Sequence, residues 1–336
     1  MKVALLSLRW CQYGGWPTYK KHLFDALVSN DVVVEAISIE KPKGSVSWVK
    51  YVSLKNILEF LKNRKYDIVH ITILNNKLDM DIYNDLFSLK NIVVTLHDPS
   101  EYKKNTKRFI VTKKPLVVFI REKMLTKKFA IFGEYLPHPY KRQSDGVVSG
   151  NRVVATSRID FDKNTDMIIR ADCGVEIFSV FNGMYDHLVL SKIIDGGISK
   201  YKFYKGEYKS LNEVFNGACA LVDMSTIHGD GGGTQYTFLE AMDYGLSLIL
   251  NSRWFVCKED ELKPFVHYTP VSSSDELRGA VLEVRNKKID NAFIYSQILL
   301  DHDYKIVGKL YKSMYEKFLN NGVGSFKIGV GIFKFF

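Results

Sequence analysis

Cysteine is scarce in this chain, with four residues among 336, and no two of them have the Cys-x-x-Cys spacing. Cys11, Cys173, Cys219 and Cys257 therefore indicate neither a zinc site nor a disulfide framework. No run of about 18 apolar residues occurs, so no transmembrane helix is expected. The apolar run after Met1 is too short for a signal peptide. We therefore expect a cytoplasmic protein in a reducing compartment.

Other chemical signatures are missing as well. The sequence has no cluster of residues at metal-ligand spacing, no signature of a lysine-bound cofactor and no recognisable nucleic-acid-binding module. These absences lead us to expect a protein that works without a metal ion and without a resident cofactor.

The chain does contain enough apolar material for a folded core. Hydrophobic residues make up 46% of it and charged residues 25%, a balance typical of globular proteins. Its 336 residues exceed the usual size of one domain, about 100 to 200 residues, and fit two.

Positive charge is in excess. The formal net charge of +10 favours anionic partners, which include phosphates, acidic membrane surfaces and nucleic acid. The stretch from Lys103 to Lys128 has ten Lys or Arg residues and one acid, Glu122, with Glu101 just before it. Charge alone does not choose among these partners, and an ordinary solvated surface would show the same pattern.

Short β-rich runs alternate with longer amphipathic segments in both halves of the chain. The first unit has a strand at Lys2–Leu8, a glycine turn at Tyr13–Pro17 and a helix at Thr18–Ser29. A second series begins with a strand at Arg152–Ser157. This alternation is typical of βαβ units and parallel sheets. We therefore predict an α/β protein with two Rossmann-like domains.

Pro137–Gly150, with two prolines followed by polar and glycine residues, is predicted to link the two domains. A single long helix is predicted at Phe293–Phe318. Two alternatives stay open for the aromatic and lysine-rich tail after Asn320, namely an additional strand or contact with a membrane interface. The predicted domains are residues 1–140, 150–300 and, as a helix and tail returning toward the first domain, 301–336.

The segment Ser225–Leu250 carries the most specific pattern. Three consecutive glycines, Gly231 to Gly233, precede a helix predicted at Thr237–Tyr244. Such glycines leave their backbone amides able to face an anion, and the helix N-terminus adds a partial positive charge. The pattern therefore indicates a phosphate-bearing ligand, although a glycine-rich turn without any ligand would look the same.

Glu240 lies in this helix among the apolar residues Phe238, Leu239, Ala241 and Met242. A carboxylate near a buried helix needs partners that offset its desolvation. Ribose hydroxyls of a bound nucleotide would be suitable partners. A position on the outer face of the helix would remove that need.

Two stretches of the chain resemble the GT-B glycosyltransferases, specifically the retaining enzymes of family 4. Phe238–Ile249 is similar to the family's segment Leu-Glu-Ala-Met-x-x-Gly-x-Pro-Val-Ile, which follows a glycine-rich loop and binds the nucleotide sugar. Val153–Ala171 is similar to the strand, Arg, turn and Lys that open the family's C-terminal domain. The resemblance implies a GT-B fold, in which two Rossmann-like domains face each other across a cleft.

The resemblance also implies roles for individual residues. Arg158 and Lys163 would bind the donor diphosphate, whose developing negative charge needs fixed cations. Glu240 would anchor the ribose, and His97 would lie against the transferred sugar. The remaining donor-binding candidates belong to the two glycine loops and are Gly14, Gly15, Asp230, Gly232, Gly233, Thr234 and Gln235.

The chain departs from the family at one important position. The family has two glutamates with seven residues between them, but Gly232 occupies the place of the first. Asp230 is the nearest acid and would substitute if the loop bulges. Otherwise sugar recognition would depend on backbone amides between Gly232 and Gln235.

The implied activity is transfer of a hexose-type sugar from a UDP- or GDP-linked donor to an acceptor hydroxyl, with retention and without metal. A glycan or lipid acceptor is favoured, with peripheral membrane contact left open. A modified DNA base, which would have to be flipped out, is an alternative acceptor. A non-catalytic nucleotide- or glycan-binding protein is the alternative that the missing glutamate favours, while an epimerase or phosphorylase of the same fold is disfavoured.

Overall fold

The computed structural model describes residues 1–7, 10, 15–41, 47–72, 84–97, 110, 112–120, 127–144, 150–157, 161–179, 203–205, 210–226, 234–254, 261–287, 291–326 and 328–331. The chain divides into two compact units. The first contains Met1–Lys141 and Asp301–Phe336, and the second contains most of Arg142–Leu300.

Fourteen strands and eight α-helices lie within the described residues. The strands are β1 (Lys2–Ser7), β2 (Val33–Ser38), β3 (Val49–Tyr51), β4 (Ile68–Ile71), β5 (Ile92–Leu96), β6 (Leu116–Phe119), β7 (Lys127–Tyr135), β8 (Arg152–Ala155), β9 (Glu176–Ser179), β10 (Phe203–Lys205), β11 (Ala218–Asp223), β12 (Ser247–Asn251), β13 (Thr269–Val271) and β14 (Ile328–Gly331). The helices are α1 (Gly15–Val28), α2 (Ile57–Arg64), α3 (Thr165–Ala171), α4 (Leu211–Phe215), α5 (Tyr236–Asp243), α6 (Ser274–Asn286), α7 (Ala292–Asp301) and α8 (Tyr304–Asn321).

The first unit is built on an eight-stranded sheet. Its strand order is β3-β2-β1-β4-β5-β6-β7-β14, and the pairs from β3 to β7 are all parallel. Strands β4, β5 and β6 are buried along their whole length. Their runs of Ile, Val and Leu fit a parallel sheet that is covered on both faces.

The second unit is built on a six-stranded parallel sheet with the order β10-β9-β8-β11-β12-β13. Counted from its first strand, this order is 3-2-1-4-5-6, which is the Rossmann order. The first unit repeats it from β1 to β6. Both halves therefore have the predicted Rossmann-like topology. Each half has its own apolar core, which includes Leu6, Val94 and Phe119 in the first unit and Val153, Ile169 and Val222 in the second.

The predicted turn at Tyr13–Pro17 was wrong in part, because α1 already begins at Gly15. Pro17 occupies the first turn of α1, where its missing N–H has no intrahelical partner to lose. The single helix predicted at Phe293–Phe318 was also wrong. Two helices occur instead, because the side chain of Asp303 caps a new helix by accepting hydrogen bonds from the amides of Lys305 and Ile306.

The tail contributes an additional strand, which was one of the two alternatives left open. β14 pairs in antiparallel fashion with β7 at the edge of the first sheet. Residues 332–336 lie outside the described part of the chain. No helix among the described residues combines the length and the apolar character needed to cross a bilayer.

Candidate functional site

The strand order of the second sheet reverses between β8 and β11. The connection after β8 leads to one side of the sheet and the connection after β11 leads to the other. Ligands of open α/β sheets bind outside the carboxyl ends of the strands at such a switch point. A ligand site is therefore expected among the residues that follow β8 and β11.

Asp223, the last residue of β11, joins the ends of these two strands. Its carboxylate accepts a hydrogen bond of 2.5 Å from the Ser157 hydroxyl, which follows β8. The same carboxylate accepts a bond of 2.8 Å from the amide of Ser225. A further bond of 2.9 Å runs from the Thr226 amide to the carbonyl of Asp162. These contacts fix the loops that border the switch point.

Lys163 is held at this edge of the sheet. Its side chain is 7% exposed, and its Nζ lies 3.8 Å from a carboxylate oxygen of Asp162. The next residue, Asn164, has a left-handed backbone with φ of 44°, which short polar side chains tolerate. The side-chain amide nitrogen of Asn164 donates a hydrogen bond of 2.9 Å to the carbonyl of Met224, which connects the turn at Lys163 to the end of β11.

Helix α5 begins at the same edge, because it follows β11. Gln235 at its N-cap position provides no side-chain hydrogen bond to the first turn. The first amides of a helix have no intrahelical acceptor, and they are suited to bind an anion. The preceding Thr234 is buried, and its hydroxyl donates a hydrogen bond to the carboxylate of Glu261.

Glu240 lies in the second turn of α5 and is 7% exposed. Burial raises the pKa of its carboxyl group from 4.5 to about 8. Among the residues that the structure describes, none makes a hydrogen bond or an ion pair with this side chain. A buried acid without a protein partner is costly once it ionises, so the environment favours its neutral form.

Three buried hydroxyl groups on the segments that follow β8 and β11 also have no hydrogen-bond partner within the described ranges. They are Thr156 Oγ1 after β8, Ser225 Oγ after β11 and Thr237 Oγ1, one helical turn before Glu240. An unpaired buried hydroxyl costs about 1 to 3 kcal/mol. Several such groups at one switch point are typical of a site whose hydrogen bonds are completed by a ligand or by bound water.

In the first unit, the switch point lies between β1 and β4. Lys20 is almost fully buried there, and its ammonium group donates to the hydroxyl of Ser7, the last residue of β1, over 3.1 Å. The same ammonium lies 4.8 Å from the ring centre of Trp10. A cation at the carboxyl end of β1 adds to the positive potential of this edge.

His97 follows β5 and is buried at the same edge. Its Nε2 donates a hydrogen bond of 2.8 Å to the carbonyl of Thr72, which follows β4. Because a carbonyl oxygen only accepts, this bond assigns a proton to Nε2. The His97 ring also meets the ring of Tyr19 edge to face, with 4.6 Å between the ring centres.

The structure describes six of the predicted site residues. Lys163, Thr234 and Gln235 lie at the carboxyl edge of the second sheet, Glu240 follows them on α5, and His97 lies in the first unit. Gly15 is the first residue of α1. The other five lie outside the described residues, and they are Gly14, Arg158, Asp230, Gly232 and Gly233.

The sequence-based prediction missed Thr156, Asp223, Ser225 and Thr237. A usable signal was present for two of them, since Thr156 and Asp223 stand at the carboxyl ends of predicted strands. Asp223 was nevertheless missed, because it is only the polar end of an otherwise apolar run. The buried Lys20 was missed because its place within an amphipathic helix suggests a solvated surface residue.

Solved structures match this chain over nearly its whole length. HepE of Anabaena in complex with UDP-glucose has a TM-score of 0.69 at 13% identity, covering 94% of this chain and 100% of its own. An alpha-glucosyltransferase in complex with UDP and a 13-mer DNA has a TM-score of 0.68 at 12% identity, covering 94% and 99%. AviGT4, a glycosyltransferase of avilamycin A biosynthesis, has a TM-score of 0.66 at 13% identity, covering 95% and 98%.

No model of a protein family matches the chain, and no curated protein matches its sequence. Identities this low establish the fold and nothing finer. The strand order of both sheets and the match over nearly the whole chain agree. The chain therefore has the GT-B fold that was predicted from its sequence.

Proposed function

We propose that this protein is a glycosyltransferase that uses a nucleoside diphosphate sugar as its donor. The observation that carries this proposal is the buried carboxyl group of Glu240 on α5, just behind an uncapped helix N-terminus. A nucleotide supplies what this arrangement needs, namely a diphosphate for the helix N-terminus and a ribose diol for the carboxylate. The likeness to HepE, which was solved with UDP-glucose, supports a nucleotide sugar as the ligand.

In this proposal, Lys163 and Arg158 neutralise the diphosphate as it leaves the sugar. A fixed cation lowers the barrier because negative charge grows on the phosphoryl oxygens as the glycosidic bond breaks. The backbone amides between Gly232 and Gln235 assist, and Glu240 holds the ribose. These groups make metal-independent transfer feasible, and His97 orients the transferred sugar.

The hydroxyls of Thr156, Ser225 and Thr237, which have no partner within the described residues, offer a substitute for the missing glutamate of the family pattern. Where the family has its first glutamate, this chain has Gly232. We propose that the three hydroxyls, directly or through bound water, together with Asp230, take over part of the recognition. Neutral hydroxyls both donate and accept, so they suit a ligand that presents both phosphate oxygens and sugar hydroxyls.

For the acceptor, we propose a glycan or lipid hydroxyl, and retention of configuration follows from the family resemblance alone. The net charge of +10 suits an anionic acceptor. A base in DNA is a second candidate, because the alpha-glucosyltransferase of similar fold was solved with DNA. If DNA is the acceptor, the protein should bind DNA with an affinity that falls steeply as the salt concentration rises, because the contacts are made to phosphates.

A thermal-shift screen tests donor binding. The purified protein is heated with UDP, GDP, ADP and their common sugar conjugates in the presence of EDTA. A ligand that binds only the folded state raises the melting temperature by mass action. We expect one nucleotide sugar to stabilise the wild-type protein selectively.

The matched variants are Glu240→Ala and Glu283→Ala. Glu283 is an exposed acid on α6 that pairs only with Lys287 within the described residues. Glu240→Ala should weaken donor binding by about tenfold or more, which corresponds to about 1.4 kcal/mol, while Glu283→Ala should leave it unchanged. No stabilisation by any nucleotide sugar would favour the non-catalytic alternative and contradict the proposal.

A further inference from the structure

Five buried side chains form a continuous hydrogen-bonded chain in the first unit, next to His97. The Tyr19 hydroxyl on α1 lies 2.9 Å from the Tyr311 hydroxyl on α8 and 2.9 Å from Thr95 Oγ1 on β5. Thr95 Oγ1 lies 2.7 Å from His70 Nε2 on β4. His70 Nδ1 lies 2.6 Å from the Tyr315 hydroxyl, also on α8. Four elements, α1, β4, β5 and α8, therefore meet in one polar network.

The members of this network are uncharged. Burial, with a smaller contribution from His97, lowers the pKa of His70 to about 3, and burial raises the pKa of Tyr315 well above its ordinary value. A neutral imidazole has one donor and one acceptor nitrogen. The bonds from Tyr315 through His70 to Thr95 therefore run in one direction, and such chains strengthen each of their members.

The network contacts His97 through Tyr19. Thr95 precedes His97 by two residues at the end of β5, and the ring of Tyr19 stands edge to face against the His97 ring. On another side, His97 donates to the carbonyl of Thr72. The His97 ring is thus held by the Thr72 carbonyl and by the ring of Tyr19. The Tyr19 hydroxyl is in turn hydrogen-bonded to Thr95 and Tyr311.

We propose that Tyr19 and Thr95 are positioning residues for His97 and that α8 shares this role through Tyr311. The inference rests on the proposed function, because it takes His97 as the group that orients the transferred sugar. Small displacements of such a group lower turnover strongly, since the reacting atoms must be held near their productive geometry. In the proposed function, the groups that hold the diphosphate and the ribose belong to the second unit, so the donor KM should change little.

Packing alone does not explain the hydroxyls. Phenylalanine at Tyr19 or Tyr311 and valine at Thr95 would fill nearly the same volume without any buried polar atom. Buried polar groups cost stability unless every bond is made, and a fully satisfied network specifies one arrangement. The hydrogen-bonded hydroxyls next to His97 therefore fix the position of its ring, which the proposed chemistry requires.

Steady-state kinetics tests the positioning role. The donor is whichever of UDP-glucose, UDP-N-acetylglucosamine, GDP-mannose and ADP-glucose stabilises the protein, and the signal is release of the nucleoside diphosphate. We expect Thr95→Val to lower kcat by about tenfold or more, while the donor KM changes by less than about twofold. Thr95→Ser keeps the hydroxyl and should retain kcat within about threefold of wild type.

Tyr311→Phe provides a second variant should Thr95→Val fail to fold, and it should lower kcat in the same way. Tyr295→Phe is the matched control, because Tyr295 is an equally buried tyrosine of the second unit whose hydroxyl donates to the His267 carbonyl. Wild-type kcat in Thr95→Val or Tyr311→Phe, or an equal loss in Thr95→Ser, would overturn the positioning role. A wild-type protein that releases nucleotide from no donor would instead contradict the proposed function.

Discussion

Glu240 is a carboxylic acid whose surroundings in the free protein favour its neutral form, because burial raises its pKa to about 8. A ribose diol that donates hydrogen bonds to the carboxylate favours the ionised form instead. Nucleotide binding below pH 8 should therefore release a proton. This single side chain would then make donor affinity depend on pH.

We predict that affinity for the nucleotide sugar rises from pH 6 to pH 8, by up to about tenfold per pH unit, and levels off above the pKa of Glu240. The reason for the sign is that the carboxylate becomes available only as the pH passes this raised pKa. Isothermal titration calorimetry in buffers of different ionisation enthalpy measures both the affinity and the proton released.

Glu240→Gln is the control for this prediction, because the amide keeps the shape of the side chain without titrating. Its affinity should be nearly constant between pH 6 and pH 9. A wild-type protein with equally constant affinity and no proton release would show that Glu240 does not bind the nucleotide as an anion.

At the residue scale, the sequence singles out candidate residues where the pattern is local, and the roles of these residues stay predictions. Lys163 and Glu240 each lie within a short segment of distinctive order, so both could be named from the sequence. The Tyr19 network could not be named from the sequence, because its members are distant in the chain. Tyr19 and Tyr311, for example, are 292 positions apart, and only the packing of α1 on α8 unites them.

At the scale of elements, two glycines in helix interiors test how α1 and α8 are packed. Gly308 lies in α8, where an added Cβ would clash with the carbonyl oxygen of Ala26 and the side chain of Asn30. Gly279 lies in α6, where an added Cβ would meet nothing within 4 Å. The same substitution should thus have opposite effects at the two sites.

Gly279→Ala should stabilise the protein by about 0.5 to 1 kcal/mol, since alanine is the better helix former. Gly308→Ala should destabilise it by about 1 to 3 kcal/mol, because the helices must move apart or strain. Calorimetric melting of the two variants beside wild type measures both changes. A stabilised Gly308→Ala variant would mean that α8 does not pack this closely on α1.

Element boundaries were predicted less well than element types, for identifiable reasons. A proline in the first turn of α1 suggested a loop, although a proline is harmless there. Two adjoining helices, α7 and α8, were merged because the break at His302 and Asp303 is short and the apolar pattern continues across it. The three-residue strand β3 is too brief to show a period.

At the scale of the whole molecule, the sequence was most informative about fold class. Alternating strands and helices predicted two Rossmann-like halves, and both sheets have the order 3-2-1-4-5-6 from their first strand. A glycan or lipid acceptor is favoured, but its chemical identity does not follow from the sequence, because a net charge of +10 is compatible with several anionic partners. Recognition of an acceptor depends on side chains from many loops, and no single sequence motif specifies these side chains.

Release of nucleoside diphosphate from a nucleotide sugar tests most directly whether this protein is a glycosyltransferase. The comparison is between wild type, Lys163→Ala and Lys287→Ala, an exposed lysine at the end of α6. Wild type and Lys287→Ala should release nucleotide at similar rates in EDTA, and Lys163→Ala should be slower by about tenfold or more. Equal rates in all three proteins would contradict the role of Lys163, and no release from any donor would contradict the proposed function itself.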